Sequence, residues 1–296
     1  MTSLFINFVV TLILAYRGFG VYSLVIGFIL QSTLQSLLIV AFGLKIQKPK
    51  LYFSWSGIKP YFKFGFSQFS TRIVSNLGQQ GDKMLIGAFL STETLGLYNV
   101  AKILIQKPIQ FINQIFSQMA FPVFTSIKDN SQLKKWSISA FKTTFIAISP
   151  VLLILIVFST SVLYNLYGTK WVTAAPFLTL LSILYSIRLL KASFGPLLVS
   201  KGKVKTQLKI TFFETLLTLC VIGILLQFSL IHVLYGLIFI EAFVMQTIRF
   251  HLIMKPILSL SFKEFFKMLF KTVTPLLFSI GVTSILYHYF SKESYA

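Results

Sequence analysis

Residues 143–167 read TTFIAISPVLLILIVFSTSVLYNLY, a run without Asp, Glu, Lys or Arg that is preceded by Lys142 and followed at a short distance by Lys170. One helix crossing a hydrocarbon core of about 30 Å needs roughly 17–25 mostly apolar residues, so this run is long enough to span a membrane and too apolar to face water. Working outward from it, comparable stretches recur at 3–16, 21–44, 66–90, 95–124, 173–198, 208–228, 231–254 and 270–290. They predict an all-α fold, a polytopic membrane helix bundle of about nine transmembrane helices. The breaks fall where turn chemistry places them: Arg17-Gly18-Phe19-Gly20, Ser91-Thr92-Glu93-Thr94, Gly168-Thr169-Lys170, Lys201-Gly202-Lys203 and the polar segment 255–271.

Composition says the same. Hydrophobic residues make up 55% of the chain and charged residues only 11%, and the mean hydropathy is +0.81. An ordinary soluble chain has about a quarter of its residues charged. The formal charge of +20 would point to nucleic acid in a soluble protein, but in a membrane chain basic residues report topology, and no nucleic-acid partner is expected. Cys220 is the lone cysteine, which excludes an internal disulfide, and no Cys and His cluster has metal spacing, so neither metal nor cofactor is expected. Met1, Thr2 and Ser3 lead into the first apolar run without the basic start or small-residue cleavage site of a signal peptide, so that run reads as a retained helix.

Orientation follows from Lys and Arg in alternate connections. Residues 45–63 hold Lys45, Lys48, Lys50, Lys59 and Lys63; 125–142 hold Lys128, Lys134, Lys135 and Lys142; 201–209 hold Lys201, Lys203, Lys205 and Lys209; and 255–271 hold Lys255, Lys263, Lys267 and Lys271. The intervening connections hold only Arg17 and Lys170. The lysine-rich side is read as cytoplasmic, which puts the N-terminus inside and the C-terminus outside. Residues 51–65 mix Tyr52, Phe53, Trp55, Tyr61, Phe62 and Phe64 with Lys59 and Lys63, as an amphipathic interfacial helix or a plain interfacial linker would, and 262–271 repeat the pattern.

Seven basic residues remain inside predicted spans: Arg72, Lys83, Lys102, Lys107, Arg188, Lys191 and Arg249. A charge at the bilayer centre costs at least about 2.5–3.5 kcal/mol, so such residues normally face a bundle interior or water. Arg249 and Lys83 lie near span ends, where snorkelling to the interface explains them. Lys107 and Arg188 read as central, with Lys191 one turn beyond Arg188. On the third span Gln68, Arg72, Ser75, Asn76, Gln79 and Lys83 recur at three- and four-residue steps, with Asp82 beside them. On the fourth, Asn99, Lys102, Gln106, Gln110, Asn113 and Ser117 do the same.

One reading is that these amides and hydroxyls hold helices together and that Asp82 pairs with Lys83 or Arg72. The sharper reading is a water-filled cavity that binds an anionic solute through Arg72, Asn76, Gln79, Lys83, Asn99, Lys102, Gln106, Lys107, Arg188 and Lys191, with Asp82 as the ion-coupling candidate. Glu214 and Glu241, also within spans, read as structural partners or as protonated, hydrogen-bonded side chains. His232, His251 and His288 sit near span ends as interfacial side chains. There is no Walker loop, no zinc-binding His-Glu-x-x-His and no nucleophile elbow, and the outer loops are a few residues long, so the chain is not expected to be an enzyme.

From Phe64 to Asp129 the chain carries Phe64-Gly65, Asp82-Lys83-Met84-Leu85-Ile86-Gly87, Leu95-Gly96-Leu97-Tyr98-Asn99, Pro108 and Phe121-Pro122-Val123-Phe124, followed later by Tyr167-Gly168-Thr169-Lys170-Trp171, Ala175-Pro176 and Ser200-Lys201-Gly202-Lys203. In this it resembles the Wzx-type polysaccharide flippases of the multidrug/oligosaccharidyl-lipid/polysaccharide exporter superfamily, colanic and teichuronic acid branch. The resemblance implies a multi-pass protein of a bacterial cytoplasmic (inner) membrane that translocates undecaprenyl-diphosphate-linked oligosaccharide units by alternating access between two six-helix lobes. It implies a lipid-linked anionic glycan and membrane lipid as partners, with a polysaccharide polymerase or glycosyltransferase as neighbours. It places Arg72, Lys83, Lys102 and Lys107 on the first two helices of the second lobe.

Those proteins have about twelve to fourteen helices, and the first four find no counterpart here. The expected division is then 1–44 as two helices of an incomplete N-terminal lobe, 45–65 as a cytoplasmic interfacial linker, 66–254 as the six-helix C-terminal lobe, and 255–296 as an interfacial segment plus an extra helix. On that expectation the chain needs a missing N-terminal part to transport. A drug exporter of the same superfamily, a membrane enzyme of glycan assembly and a non-transporting scaffold are the alternatives.

Overall fold

The computed structural model describes residues 2–46, 54–127, 129–191 and 194–293. Lys48, Lys50 and Lys128 lie outside the described residues, as do Tyr52 and Phe53 of the expected interfacial segment. Among the described residues there is no strand. The helices are α1 (Thr2–Tyr16), α2 (Tyr22–Ile46), α3 (Trp55–Phe89), α4 (Thr92–Ser126), α5 (Asn130–Val157), α6 (Ser159–Tyr167), α7 (Ala175–Arg188), α8 (Phe194–Ser200), α9 (Val204–Leu225), α10 (Leu230–Leu258) and α11 (Phe262–Glu293). The expected spans fall on these helices wherever they are described, except that 143–167 divides at Phe158 between α5 and α6. The segments expected at the interface are helical: residues 55–65 are the first turns of α3, and 262–271 the first turns of α11, each continuous with the helix that follows.

Among the described residues six helical segments are long and apolar enough to cross a membrane: α2, Asn130–Val157, Thr169–Arg188, α9, α10 and Phe262–Ser284. α1 is apolar but shorter. α3 and α4, at 35 residues each, have the length, but their polar stripes dilute their hydropathy. The result is a multi-pass membrane bundle.

The chain divides into two units, residues 1–60 and 61–296. In the first, α1 and α2 form a hairpin around a turn in which Gly18 and Gly20 take positive φ. Asn7 Nδ2 donates to Gln31 Oε1 at 2.5 Å, and Thr11 donates to Asn7 at 2.9 Å. Gly27 lies against these side chains, where a Cβ would collide with Thr11 and Asn7. Polar groups between helices gain here because lipid offers them no partner.

In the second unit the helix starts are capped as their sequences require. Ser91 Oγ accepts from Thr94 N–H ahead of α4, Ser229 Oγ from His232 N–H ahead of α10, and Asp129 accepts from the N–H groups of Ser131 and Gln132 ahead of α5. Those bonds and the Ser131 hydroxyl hold the exposed Asp129 carboxyl below its ordinary range, the hydroxyl being the largest influence. Two apolar clusters form the core. One runs through Ile86, Ala101, Ile105, Phe145, Ile148, Leu178, Leu181, Ile222 and Leu234; the other through Phe124, Leu133, Leu197, Leu198, Ile253, Met254 and Phe265. Large apolar side chains such as Phe69, Phe111, Phe212 and Phe228 remain exposed, as a lipid-facing surface requires.

Candidate functional site

A charged side chain at membrane depth must meet an opposite charge or water, so the intramembrane charges are the place to begin. Three carboxylates, Asp82 on α3, Glu214 on α9 and Glu241 on α10, lie among four cations, Lys102 on α4, Arg188 and Lys191 at and just beyond the end of α7, and Arg249 on α10. All seven line one cavity of about 500 Å³ in the second unit. The two apolar clusters flank it through Ile109, Leu181, Leu184, Leu198 and Ile253.

Five of the charges form an alternating chain. Arg188 Nε donates to Glu241 Oε2 at 3.1 Å. Arg249 reaches Glu241 Oε1 with Nη1 at 2.7 Å, and Glu214 Oε1 with Nε at 2.7 Å. Lys191 Nζ donates to Glu214 Oε2 at 3.1 Å. The order is therefore Arg188, Glu241, Arg249, Glu214, Lys191, with each carboxylate held between two cations. The Arg249 side chain is 1% exposed and the Lys191 side chain 41% exposed, so the middle of the chain is sealed and this end is open. Arg188 also lies over the Tyr185 ring at 5.5 Å, and Tyr185 accepts a hydrogen bond from Gln106 Nε2 at 2.5 Å.

Backbone geometry explains how Glu241 and Arg249 come to face one way. Eight α-helical steps of about 100° overshoot two turns by about 80°. A π-helical turn occupies Ile240–Met245, and its wider winding takes back that excess between the two residues; a second π turn, Phe250–Met254, follows Arg249. The expected span at 173–198 is likewise interrupted: α7 ends at Arg188, a 3₁₀ turn carries Leu189–Lys191, and α8 starts at Phe194. Irregular backbone at membrane depth is tolerated where it lines a cavity.

A second group forms separately. Asp82 Oδ2 accepts from the Lys102 ammonium and, at 2.7 Å, from the Tyr98 hydroxyl, while Oδ1 accepts from Lys83 N–H at 2.7 Å. Lys102 Nζ also donates to Gln79 C=O at 2.8 Å. The ion pair is buried.

Of the residues singled out in the sequence, Gln79, Asp82, Lys102, Gln106, Arg188 and Lys191 line the cavity, together with Ser75, Gln110, Asn113 and Ser117 of the same stripes. Arg72, Asn76, Lys83, Asn99 and Lys107 do not line it, and Arg72, Asn76 and Lys107 are exposed. The reason is angular. On α3 the cavity side is centred on Ser75, Gly78, Gln79 and Asp82, and at about 100° per residue Arg72, Asn76 and Lys83 fall on the far edge of a stripe read too broadly. On α4 Lys107 is about 100° from Gln106, which takes the cavity side. Arg249 does not snorkel; it is the most enclosed cation of the cavity. Asp82 pairs with Lys102 rather than with Lys83 or Arg72.

Glu214 and Glu241, read from the sequence as structural partners or protonated side chains, and Arg249, read as a snorkelling end residue, were left out of the cavity set, and Tyr98 and Tyr185 were given no role, yet all five line the cavity. A signal existed for three of them: two acidic residues and an arginine within neighbouring spans are stable there only as each other's partners.

The chain matches the model of the family described as "Polysaccharide biosynthesis protein" over residues 1–176. It is 35% identical over 156 residues to the teichuronic acid biosynthesis protein TuaB of Bacillus subtilis (strain 168), covering 52% of this chain and 32% of that one. It is 28% identical over 246 residues to the lipopolysaccharide biosynthesis protein WzxC of Escherichia coli (strain K12), covering 81% and 49%. It is 21% identical over 196 residues to the succinoglycan biosynthesis transport protein ExoT of Rhizobium meliloti (strain 1021), covering 66% and 39%. The matched regions amount to about a third to a half of the length of these relatives. No solved structure matches the chain. The resemblance drawn from the 64–129 block to Wzx-type proteins is borne out, and the chain belongs to the polysaccharide biosynthesis protein family.

Proposed function

We propose that this chain carries the cargo cavity of a flippase that moves undecaprenyl-diphosphate-linked oligosaccharide units across the bacterial cytoplasmic membrane for surface polysaccharide export. The observation that carries this reading is the convergence of Lys102, Arg188, Lys191 and Arg249 on one cavity in an apolar bundle. A diphosphate needs several fixed donors at once, and guanidinium groups present them in a planar fork. Gln106, Gln110, Asn113 and Ser117 line the same cavity and supply the neutral donors and acceptors that sugar hydroxyls require.

The chain acts as a transporter rather than an enzyme, and its movement is alternating access of this unit against a second lobe. Its lysine-rich connections face the cytoplasm, and its partners are the lipid-linked glycan, membrane lipid and the polymerase or glycosyltransferases of the same export route. Asp82, buried against Lys102, remains the ion-coupling candidate of this reading.

Chromosomal replacement in the native host tests it. Arg188→Ala is expected to lower polysaccharide export at least about tenfold at unchanged membrane abundance, the scale of one lost charge-assisted contact of ~1.5–3 kcal/mol. Arg188→Lys should keep part of the export, and Lys107→Ala, off the cavity, should keep nearly all. Equal export from Arg188→Ala and the native chain overturns the reading.

A further inference from the structure

The cations that are offered to an anionic cargo are already occupied. Arg188, Arg249 and Lys191 have their charges met by Glu241 and Glu214 in strict alternation, with separations of 2.5–3.1 Å. Two carboxylates bridging three cations is the arrangement that the two phosphates of a diphosphate would adopt on the same three groups. Carboxylates and phosphates are both anionic oxygen groups that accept from guanidinium and ammonium donors.

The carboxylates are also placed to leave. Both line the cavity rather than the packed core, and among the described residues the partners of each carboxylate are the cations of the chain. Neither carboxylate is anchored by a hydroxyl or a backbone N–H in those contacts. Asp82 contrasts with them: Tyr98 and the Lys83 N–H hold it in addition to Lys102. The cavity thus has one fixed ion pair, Asp82 with Lys102, and one five-residue network that can exchange.

We propose that Glu214 and Glu241 are resident counter-anions that occupy the diphosphate positions in the empty cavity and are displaced from Arg188, Arg249 and Lys191 when cargo binds; this rests on the reading of the cavity as a lipid-diphosphate site. Their role is positioning and tuning. They keep three cations assembled and offset two of the three positive charges in a low-dielectric site without cargo, and they lower cargo affinity by competing for the same donors. Release of cargo is then the return of two tethered carboxylates, at an effective concentration that no free anion matches. Transport requires that this competition be nearly balanced, since a cavity of three bare cations would hold its cargo.

The test uses the detergent-purified full chain and farnesyl diphosphate as the probe, measured by calorimetric titration, with export in the native host measured in parallel. Glu241→Gln and Glu214→Gln keep the side-chain shape and a hydrogen-bonding oxygen but remove the competing charge. Each is expected to bind the probe about tenfold more tightly than the native chain, the scale of one charge-assisted contact, and to export less polysaccharide because release slows. Glu241→Asp and Glu214→Asp, shorter by one methylene, are expected to shift binding in the same direction by less.

Native binding with no tightening in any variant overturns the counter-anion role while leaving the cargo cavity standing. No binding by the native chain or the variants overturns the cavity reading itself. If all four variants fail to fold, the carboxylates are structural and the proposal falls.

Discussion

Lys102 and Asp82 make a buried ion pair. Taking away one member strands the other, at about 3–5 kcal/mol, whereas taking both to neutral residues of similar size is close to neutral. Lys102→Met is therefore expected to lower the unfolding midpoint of the purified protein sharply, and Lys102→Met combined with Asp82→Asn to recover most of it. A double variant as unstable as the sum of the singles contradicts the pairing. At this scale the sequence was half legible. Lys102, Arg188 and Lys191 stood out because a charge inside an apolar run is conspicuous. Which carboxylate each meets depends on helices that are distant in sequence, such as Arg188 with Glu241 or Lys191 with Glu214, and no local spacing encodes it.

Elements were more legible than pairings, since their ends are written in local chemistry. Ser91, Gly168 and Gly202 mark breaks both in the sequence and in the structure, with Gly168 and Gly202 in positive φ. The π-helical turns of α10 were not legible, because no residue type along 240–254 marks them; the first lets Glu241 and Arg249 face partners on α7 and α9 together. The cap of α5 carries a prediction of its own. With the folded Asp129 carboxyl held below its ordinary value, its contribution is present above the unfolded value and lost as the pH falls through the lower folded one. Asp129→Ala is expected to speed amide exchange at Ser131 and Gln132 at neutral pH, by making permanent what acid does to the native chain. Unchanged exchange would show that the cap does nothing for the first turn.

The whole molecule follows from two sequence signals, apolar length and lysine asymmetry. The first is embodied in the helices; the second makes a topological prediction that labelling can check. In a Cys220→Ser background, cysteines placed at Lys203 and at Thr92 are expected to react with an impermeant maleimide from opposite sides of the membrane, the first only after the cytoplasmic face is opened. Reaction of both from one side contradicts the orientation. The polar stripes of α3 and α4 announced a cavity, but its full lining was not legible, because it exists only where α3, α4, α7, α9 and α10 come together.

The alternating chain of charges also bears on how the protein is made. Ribosomes deliver Arg188 and Lys191 first, then Glu214 on α9, and only later Glu241 and Arg249 on α10, so the cations of α7 enter the bilayer before either of their carboxylates exists. At about 5–20 residues per second, some seconds separate the first charge from the last. For that interval the insertion machinery, or water within it, has to shelter two uncompensated cations. The network closes when α10 docks, and the arrival of that one helix turns a set of poorly inserting segments into an assembly that has little reason to leave the membrane.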